Sequence, residues 1–186
     1  MSKILLGLIF ILMVPFAALA QPEYLAAEVF GGYSYFRATP EDYNLNGWNA
    51  SVAGNITDWF GIEGDFSGHY GHPRNDFGKS IPNLNINQHN FMAGPKLSYR
   101  AGSITPFAHF LIGAARVNSL SGDPADWALA TVIGGGVDIN LSRSVAVRVA
   151  QADWLRTQFK TGPFPEDRRQ DNFRFSAGIV LKLGLR

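Results

Sequence analysis

The chain has no cysteine, so neither a disulfide framework nor a thiolate metal or redox site is open to it. Charge is also scarce: 17% of the residues are Asp, Glu, Lys or Arg, where about a quarter is usual for a soluble domain. The 16 basic and 15 acidic residues nearly cancel, leaving no net field to draw in nucleic acid, and no such partner is expected. Past Gln21 no apolar run reaches the length of about 20 residues that a membrane-spanning helix needs. Helical periodicity is weak throughout. A chain of 186 residues, 46% of them hydrophobic, has the length of one domain and must be stabilised by something other than disulfides.

The first 20 residues have their own pattern. Lys3 precedes the apolar run Ile4 to Val14, and Ala18-Leu19-Ala20 offers small residues for cleavage, so residues 1–20 read as a secretory signal peptide. The run is too short for a helical anchor. Residues 21–186 form the expected mature domain, with 15 basic residues against 15 acidic once Lys3 is gone.

What fills the mature chain is alternation. Asn172 to Arg186 places Phe173, Phe175, Ala177, Ile179, Leu181, Leu183 and Leu185 on one face, opposite Asn172, Arg174, Ser176, Gly178, Val180, Lys182 and Gly184. That is a period-two strand with lipid expected on one side and a polar interior on the other. Trp48 to Ile56 and Phe60 to Tyr70 repeat the pattern around the connection Thr57-Asp58-Trp59, which predicts a hairpin. Ala27 to Arg37 follows it except at Phe30 and Phe36, which fall on the polar face. Asn87 to Arg100 follows it too, and Pro95 is expected to mark a bulge. In Thr105 to Val117 both parities are mainly apolar, so its facing stays open. Trp127 to Leu141 alternates. Ser144 to Phe159 starts well and loses its phase at Gln151 and Asp153, as a bulge or an exit from the membrane would produce.

Eight strands result, joined by connections that alternate in length. Asn55 to Trp59, Ala101 to Ile104 and Ser142 to Ser144 are short; Ala38 to Asn46, Gly71 to Ile86, Asn118 to Asp126 and Lys160 to Asp171 are long. The prediction is an all-β fold, an eight-stranded antiparallel up-and-down transmembrane β-barrel of the bacterial outer membrane, with short turns on the periplasmic rim. Tyr33, Trp48, Tyr70, Trp127, Trp154 and Phe173 would form the girdle near the long loops, and Trp59, Phe60, Tyr99 and Phe107 the girdle opposite.

Three stretches carry a family resemblance: Glu28-Val29-Phe30-Gly31-Gly32-Tyr33-Ser34-Tyr35; Gly134-Gly135-Gly136-Val137-Asp138 with Arg148 and Gln151-Ala152-Asp153; and Arg174-Phe175-Ser176-Ala177-Gly178-Ile179-Val180. Together they resemble the small outer-membrane barrels related to the transmembrane domain of outer membrane protein A. The resemblance implies insertion by the barrel assembly machinery and roles from envelope integrity to adhesion. Two departures are noted. No peptidoglycan-binding segment follows the barrel in this sequence, and Leu185-Arg186 stands where many members end on an aromatic, so an anchoring role and a typical sorting signal are not expected.

A soluble, lipocalin-like carrier would share the alternation with its faces exchanged. It would need an outer face dense in Lys and Glu, whereas the polar face here is sparse and small, as a narrow interior requires. A lipid-A-modifying enzyme is the alternative from another class, suggested by Asp65, Ser67 and His69 on one strand face. Residues two apart on a strand are separated by about 6.6 Å, too far for a nucleophile and its base. The histidine-any-serine-asparagine element of outer-membrane lipid deacylases is also missing, so no catalytic residue is assigned and no enzyme is expected. His69, His72, His89 and Asp76 have no compact metal spacing, and no metal or cofactor is expected.

The inward face is expected to be filled by Glu28, Glu63, Asp65 and Asp138 against Lys96, Arg148, Arg174 and Lys182, with Asn49, Ser51, Asn55 and Gln88 completing a hydrogen-bonded lumen network. Lys160, Arg168 and Arg169 in the last long loop are candidate contacts to lipopolysaccharide phosphates, because arginine forks suit phosphate oxygens. Outer-membrane lipid and lipopolysaccharide are the expected partners, and a monomer the expected state.

Overall fold

The structure, a computed structural model, describes residues 25–38, 43–71, 86–100, 102–119, 126–159 and 168–185. The signal-peptide residues lie outside them. Eight strands follow one another: β1 (Leu25–Ala38), β2 (Tyr43–Asn55), β3 (Phe60–Gly71), β4 (Ile86–Ser98), β5 (Ile104–Ser119), β6 (Asp126–Asn140), β7 (Val145–Phe159) and β8 (Arg168–Leu185). Each pairs antiparallel with the next, and β8 returns to β1 to close a barrel. Closure pairs every strand on both sides, which removes the edges that an open sheet would leave reactive.

Local chemistry sets the three short connections on the rim where β1 starts and β8 ends. In the β2–β3 turn, Ile56 N and Thr57 N both donate to Phe60 O, and Phe60 N donates back to Thr57 Oγ1 at 3.0 Å. Ser142 Oγ does the same work between β6 and β7, accepting from Val145 N at 3.0 Å. Gly102 takes φ 61° between β4 and β5, a left-handed conformation that a side chain would disfavour. On the other rim β2 starts at Tyr43 and β8 at Arg168, so those strands reach further into the expected long loops than alternation alone suggested.

Facing follows the sequence pattern in β2, β3, β4, β6 and β8, with aliphatic and aromatic residues outward. Ile133 and Ile179 are each 55% exposed on the outer wall. A continuous apolar outer surface of this kind is a lipid face, not the wall of a soluble carrier. The undecided strand β5 turns Thr105, Phe107, His109 and Leu111 inward and Ile104, Phe110 and Ile112 outward. Phe107 is therefore a lumen residue and not a girdle aromatic. Phe30 and Phe36 are inside as well, at 2% and 0% exposure.

Two irregularities were anticipated and one occurs. Pro95 makes no bulge: the β4–β5 ladder lapses at Gly94 and Pro95 but resumes in the same register, and β3–β4 pairing runs through it. The lost N–H is absorbed by that gap. In β7 the register shifts between Arg148 and Gln151 on the β8 side, and the β6 side shifts at Val137/Asp138. Val149 and Ala150 are consecutive exposed residues; the inward parity is even before them and odd after, with Gln151, Asp153, Leu155 and Thr157 all buried. One extra residue thus reverses the facing of the rest of the strand.

At the closing seam Gly32 of β1 lies opposite Gly178 of β8. A Cβ built on Gly178 would stand 2.3 Å from Gly31 O, and one on Gly32 would stand 2.1 Å from Ala177 O. Both strands need glycine there because the backbones approach too closely for anything larger.

Candidate functional site: the barrel interior

The interior holds buried charge. Arg174 on β8 donates from Nη1 to Asp65 Oδ1 at 2.7 Å and from Nε to Asp153 Oδ2 at 2.8 Å. Its guanidinium joins carboxylates on β3 and β7 and is fully buried. His109 on β5 continues the chain, with Nε2 at 2.9 Å from Asp153 Oδ1 and Nδ1 at 3.0 Å from Glu63 Oε2. Both ring nitrogens face carboxylate oxygens, so both act as donors, which the imidazolium form permits. Since Glu63 and Asp65 share β3, the links Glu63, His109, Asp153, Arg174 and Asp65 close a loop of charge across the lumen. Asn49 Nδ2 adds a bond to Asp65 Oδ2 at 2.7 Å.

A second cluster lies toward the short-turn rim. Glu28 accepts from Lys96 Nζ at 2.6 Å and from Arg100 Nη2 at 2.9 Å. Arg148 forks onto Asp138, with Nε to Oδ1 at 2.8 Å, and sends Nη1 to Gln151 Oε1 at 2.8 Å. Its guanidinium lies between the Phe30 and Phe107 rings, 4.3 and 4.1 Å from their centroids, an arrangement that offsets part of its desolvation. Gln151 Nε2 then donates to Asp153 Oδ2 at 2.7 Å, tying the clusters together.

Five acids therefore face five cations: Glu28, Glu63, Asp65, Asp138 and Asp153 against Lys96, Arg100, His109, Arg148 and Arg174. Lys182 is half-buried, lies opposite Glu28 in the β1–β8 ladder and donates to Asn140 Oδ1; among the described residues no carboxylate is in direct ion-pair contact with it. Gln88 Nε2 donates to Asn90 Oδ1 at 3.2 Å.

Toward the long-loop rim the interior changes character. Phe36, Leu45, Met92, Leu111, Val132 and Leu155, with alanines between them, form an apolar cluster at 0–4% exposure. Among polar side chains it touches His69, whose ring centroid is 5.0 Å from that of Phe36. Beside this cluster Ser34, Ser67, His69, Gln88, Asn90 and Thr157 are also buried, so the long-loop end of the lumen is part apolar and part polar, and the sequence reading anticipated Gln88 there but not the apolar cluster.

The set Asp65, Ser67 and His69 does not work as a relay. His69 Nε2 pairs with Ser34 Oγ at 2.8 Å, Ser67 Oγ accepts from Asn90 Nδ2 at 3.0 Å and from Arg174 Nη1 at 3.1 Å, and Asp65 is held by Arg174. All three are buried within the wall at 0–1% exposure. His69 points into the lumen while His89 lies on the outer wall, where its Nε2 is 3.1 Å from Tyr70 Oη, so the two cannot share an ion; His72 and Asp76 lie outside the described residues. Lys160 lies outside them too. Arg168 and Arg169 open β8 instead of ending a loop, and only their backbone is described.

Three network members escaped the sequence reading. Asp153 is hidden by the bulge and His109 by the mixed parity of β5, while Arg100 closes the stretch Asn87 to Arg100 on its polar parity and lies two residues past the end of β4. A partner count gives no signal, because the four acids and four cations assigned to the inward face already balance.

A closed, eight-stranded barrel with an apolar outer wall, two aromatic girdles and a charge-paired interior defines a transmembrane barrel of the outer-membrane type. The family model for the outer membrane protein beta-barrel domain matches residues 6–184, and the chain belongs to that family and to the bacterial outer membrane. Solved structures agree on the fold. Neisserial surface protein A superposes with a TM-score of 0.64 at 13% identity, covering 85% of this chain and 97% of that one. Ail, the attachment invasion locus protein of Yersinia pestis, gives 0.56 at 13% identity with 86% and 99% covered. The N-terminal barrel domain of Pseudomonas aeruginosa OprF gives 0.51 at 10% identity with 86% and 98% covered. No curated protein sequence matches the chain.

Proposed function

We propose that the protein is a non-enzymatic, non-conducting barrel that serves the envelope structurally and meets its surroundings through its long-loop rim. The observation that carries this reading is the loop of charge from Glu63 through His109, Asp153 and Arg174 to Asp65, which spans the lumen between strands on opposite sides. An eight-stranded barrel is just wide enough for side chains to fill, and here they are bonded to one another. A lipid-A-modifying enzyme is disfavoured because Ser67 and His69 are directed to other partners. Contacts to outer-membrane lipid and lipopolysaccharide, with Lys160, Arg168 and Arg169 as candidates, and assembly as a monomer by the barrel machinery complete the proposal.

Planar-bilayer recording tests it. The purified barrel is expected to give no steady current; conductance of porin magnitude would overturn the reading. Mass spectrometry of lipid A from cells with and without the protein tests the enzymatic alternative, and a mass change that His69→Ala abolishes would replace this proposal with that one.

A further inference from the structure

The outer wall carries charge at only a few places, and two of these are built alike. Near the long-loop end of β5, Arg116 faces outward with its guanidinium 5.7 Å from the Trp127 ring on β6. Near the same rim on β7, Arg156 lies 4.9 Å from the Trp154 ring. Both arginines therefore sit beside girdle aromatics, at the depth where lipid headgroups begin. Their charges are treated differently. Arg156 Nε donates to Asp171 Oδ1 at 2.9 Å, so its charge is met within the protein.

Arg116 has no such partner. Among the described residues no carboxylate lies within ion-pair reach of it. Its ladder neighbours are His89 on β4 and Trp127 on β6, and His89 in turn contacts Tyr70 Oη on β3. The row Tyr70, His89, Arg116, Trp127 thus offers a guanidinium fork, a hydroxyl and an imidazole along one arc of the wall, with indole and phenol rings to lie against acyl chains and sugar. A guanidinium held on one side by an indole ring keeps its N–H edge free for an anion. In the outer leaflet, the anions at headgroup depth are phosphates.

We propose that this arc is a binding site for a phosphate of lipid A, with Arg116 as the anion ligand and Trp127 as its positioning ring. The site deepens the reading of the long-loop rim as the lipopolysaccharide side, and it is separate from Lys160, Arg168 and Arg169. Arg156, already neutralised by Asp171, is the internal control. Arginine suits the task because its planar fork engages two phosphate oxygens at once.

The test uses the full mature barrel in phosphatidylcholine nanodiscs, with native mass spectrometry to count bound lipid. Three probes are compared: bisphosphorylated lipid A, the same lipid A with its phosphates removed, and phosphatidylglycerol. Arg116→Gln is expected to lower retention of bisphosphorylated lipid A by about fivefold or more, as loss of a charge-assisted contact requires. Arg156→Gln should leave it unchanged, and dephosphorylated lipid A should not distinguish Arg116→Gln from wild type. Equal retention by wild type and Arg116→Gln would overturn the site. If Lys160, Arg168 and Arg169 changed to Gln then lowered retention, the lipopolysaccharide reading of the rim would survive without it. Phosphatidylglycerol retained as strongly as lipid A, and equally sensitive to Arg116→Gln, would also overturn the assignment, because the site would then take any anionic lipid. Heat-modifiable migration of each variant confirms that the barrel is folded before retention is compared.

Discussion

Arg174 and Asp153 are partners across the β7–β8 ladder, joined by Nε and Nη2 to the same Oδ2 at 2.8 and 2.7 Å. At this strand length the pair exists only because the bulge before Gln151 turns Asp153 inward. Without that shift Arg174 would retain Asp65 alone, and His109 would lose one of its two acids.

Removing Arg174 should be costly for that reason. Arg174→Ala leaves Asp65 and Asp153 buried without their shared cation, and destabilisation of about 3 to 5 kcal/mol is expected. Urea unfolding in lipid vesicles measures it. A loss below 1 kcal/mol would mean that water already solvates the carboxylates.

His109→Leu should be nearly as damaging, because it strips a donor from Glu63 and from Asp153 at once. The double change of His109→Leu with Glu63→Leu is expected to recover part of the loss, since it removes one of the two stranded acids. Stability that simply adds across the two changes would show that the His109 and Glu63 contact is not coupled.

On the lipid face, Ile179→Arg near mid-membrane should cost about 2 to 4 kcal/mol. Its inward neighbour is not a safe site either. Gly178→Ser places its Cβ against the Gly31 carbonyl and the Gly32 backbone, so it should destabilise the seam or slow its closure. The same folding titration reads both, and an unchanged Gly178→Ser midpoint would show that the strands can part there freely.

The apolar cluster and the charged loop occlude the lumen in series. Leu111 and Leu155 are completely buried, and changing both to Ser opens the cluster while leaving the charged loop intact, whereas Arg174→Ala opens the loop and leaves the cluster intact. Steady ion currents are therefore expected only when the three changes are combined. Current from the double Ser variant alone in planar bilayers would show that the charged loop does not occlude the lumen.

The sequence made the barrel legible wherever lipid and lumen differ sharply, as in β3, where Phe66 and Tyr70 alternate with Glu63, Asp65 and His69. It failed where both faces want apolar residues. In β5 the lumen itself is apolar toward the long-loop rim, so Leu111 inside and Ile112 outside carry no contrast, and His109 was lost in that uniformity. Phe107 misled for a related reason: an aromatic beside a rim suggests a girdle, but this ring lies against Arg148. Pro95 suggested a bulge from backbone chemistry alone, while a simple lapse in one ladder was enough. Alternation reads which face a residue takes, and it cannot read which groups meet across the interior.

The extra residue at Val149 and Ala150 gives β7 a phase, much as an inserted nucleotide shifts a reading frame. Everything from Gln151 to the long-loop end is written in a frame opposite to Val145 through Arg148. Deleting Ala150 would merge the two frames: Val149 alone would stand outward between Arg148 and Gln151, opposite Val137 and Ala177 in ladders that then run without a shift. Asp153 and Leu155 would stay in the lumen and Trp154 and Arg156 toward lipid, so the pair of Arg174 with Asp153 and the pair of Arg148 with Asp138 would both keep their facing. The extra residue is a splice between two frames, and the strand can lose it without exchanging a single lumen side chain.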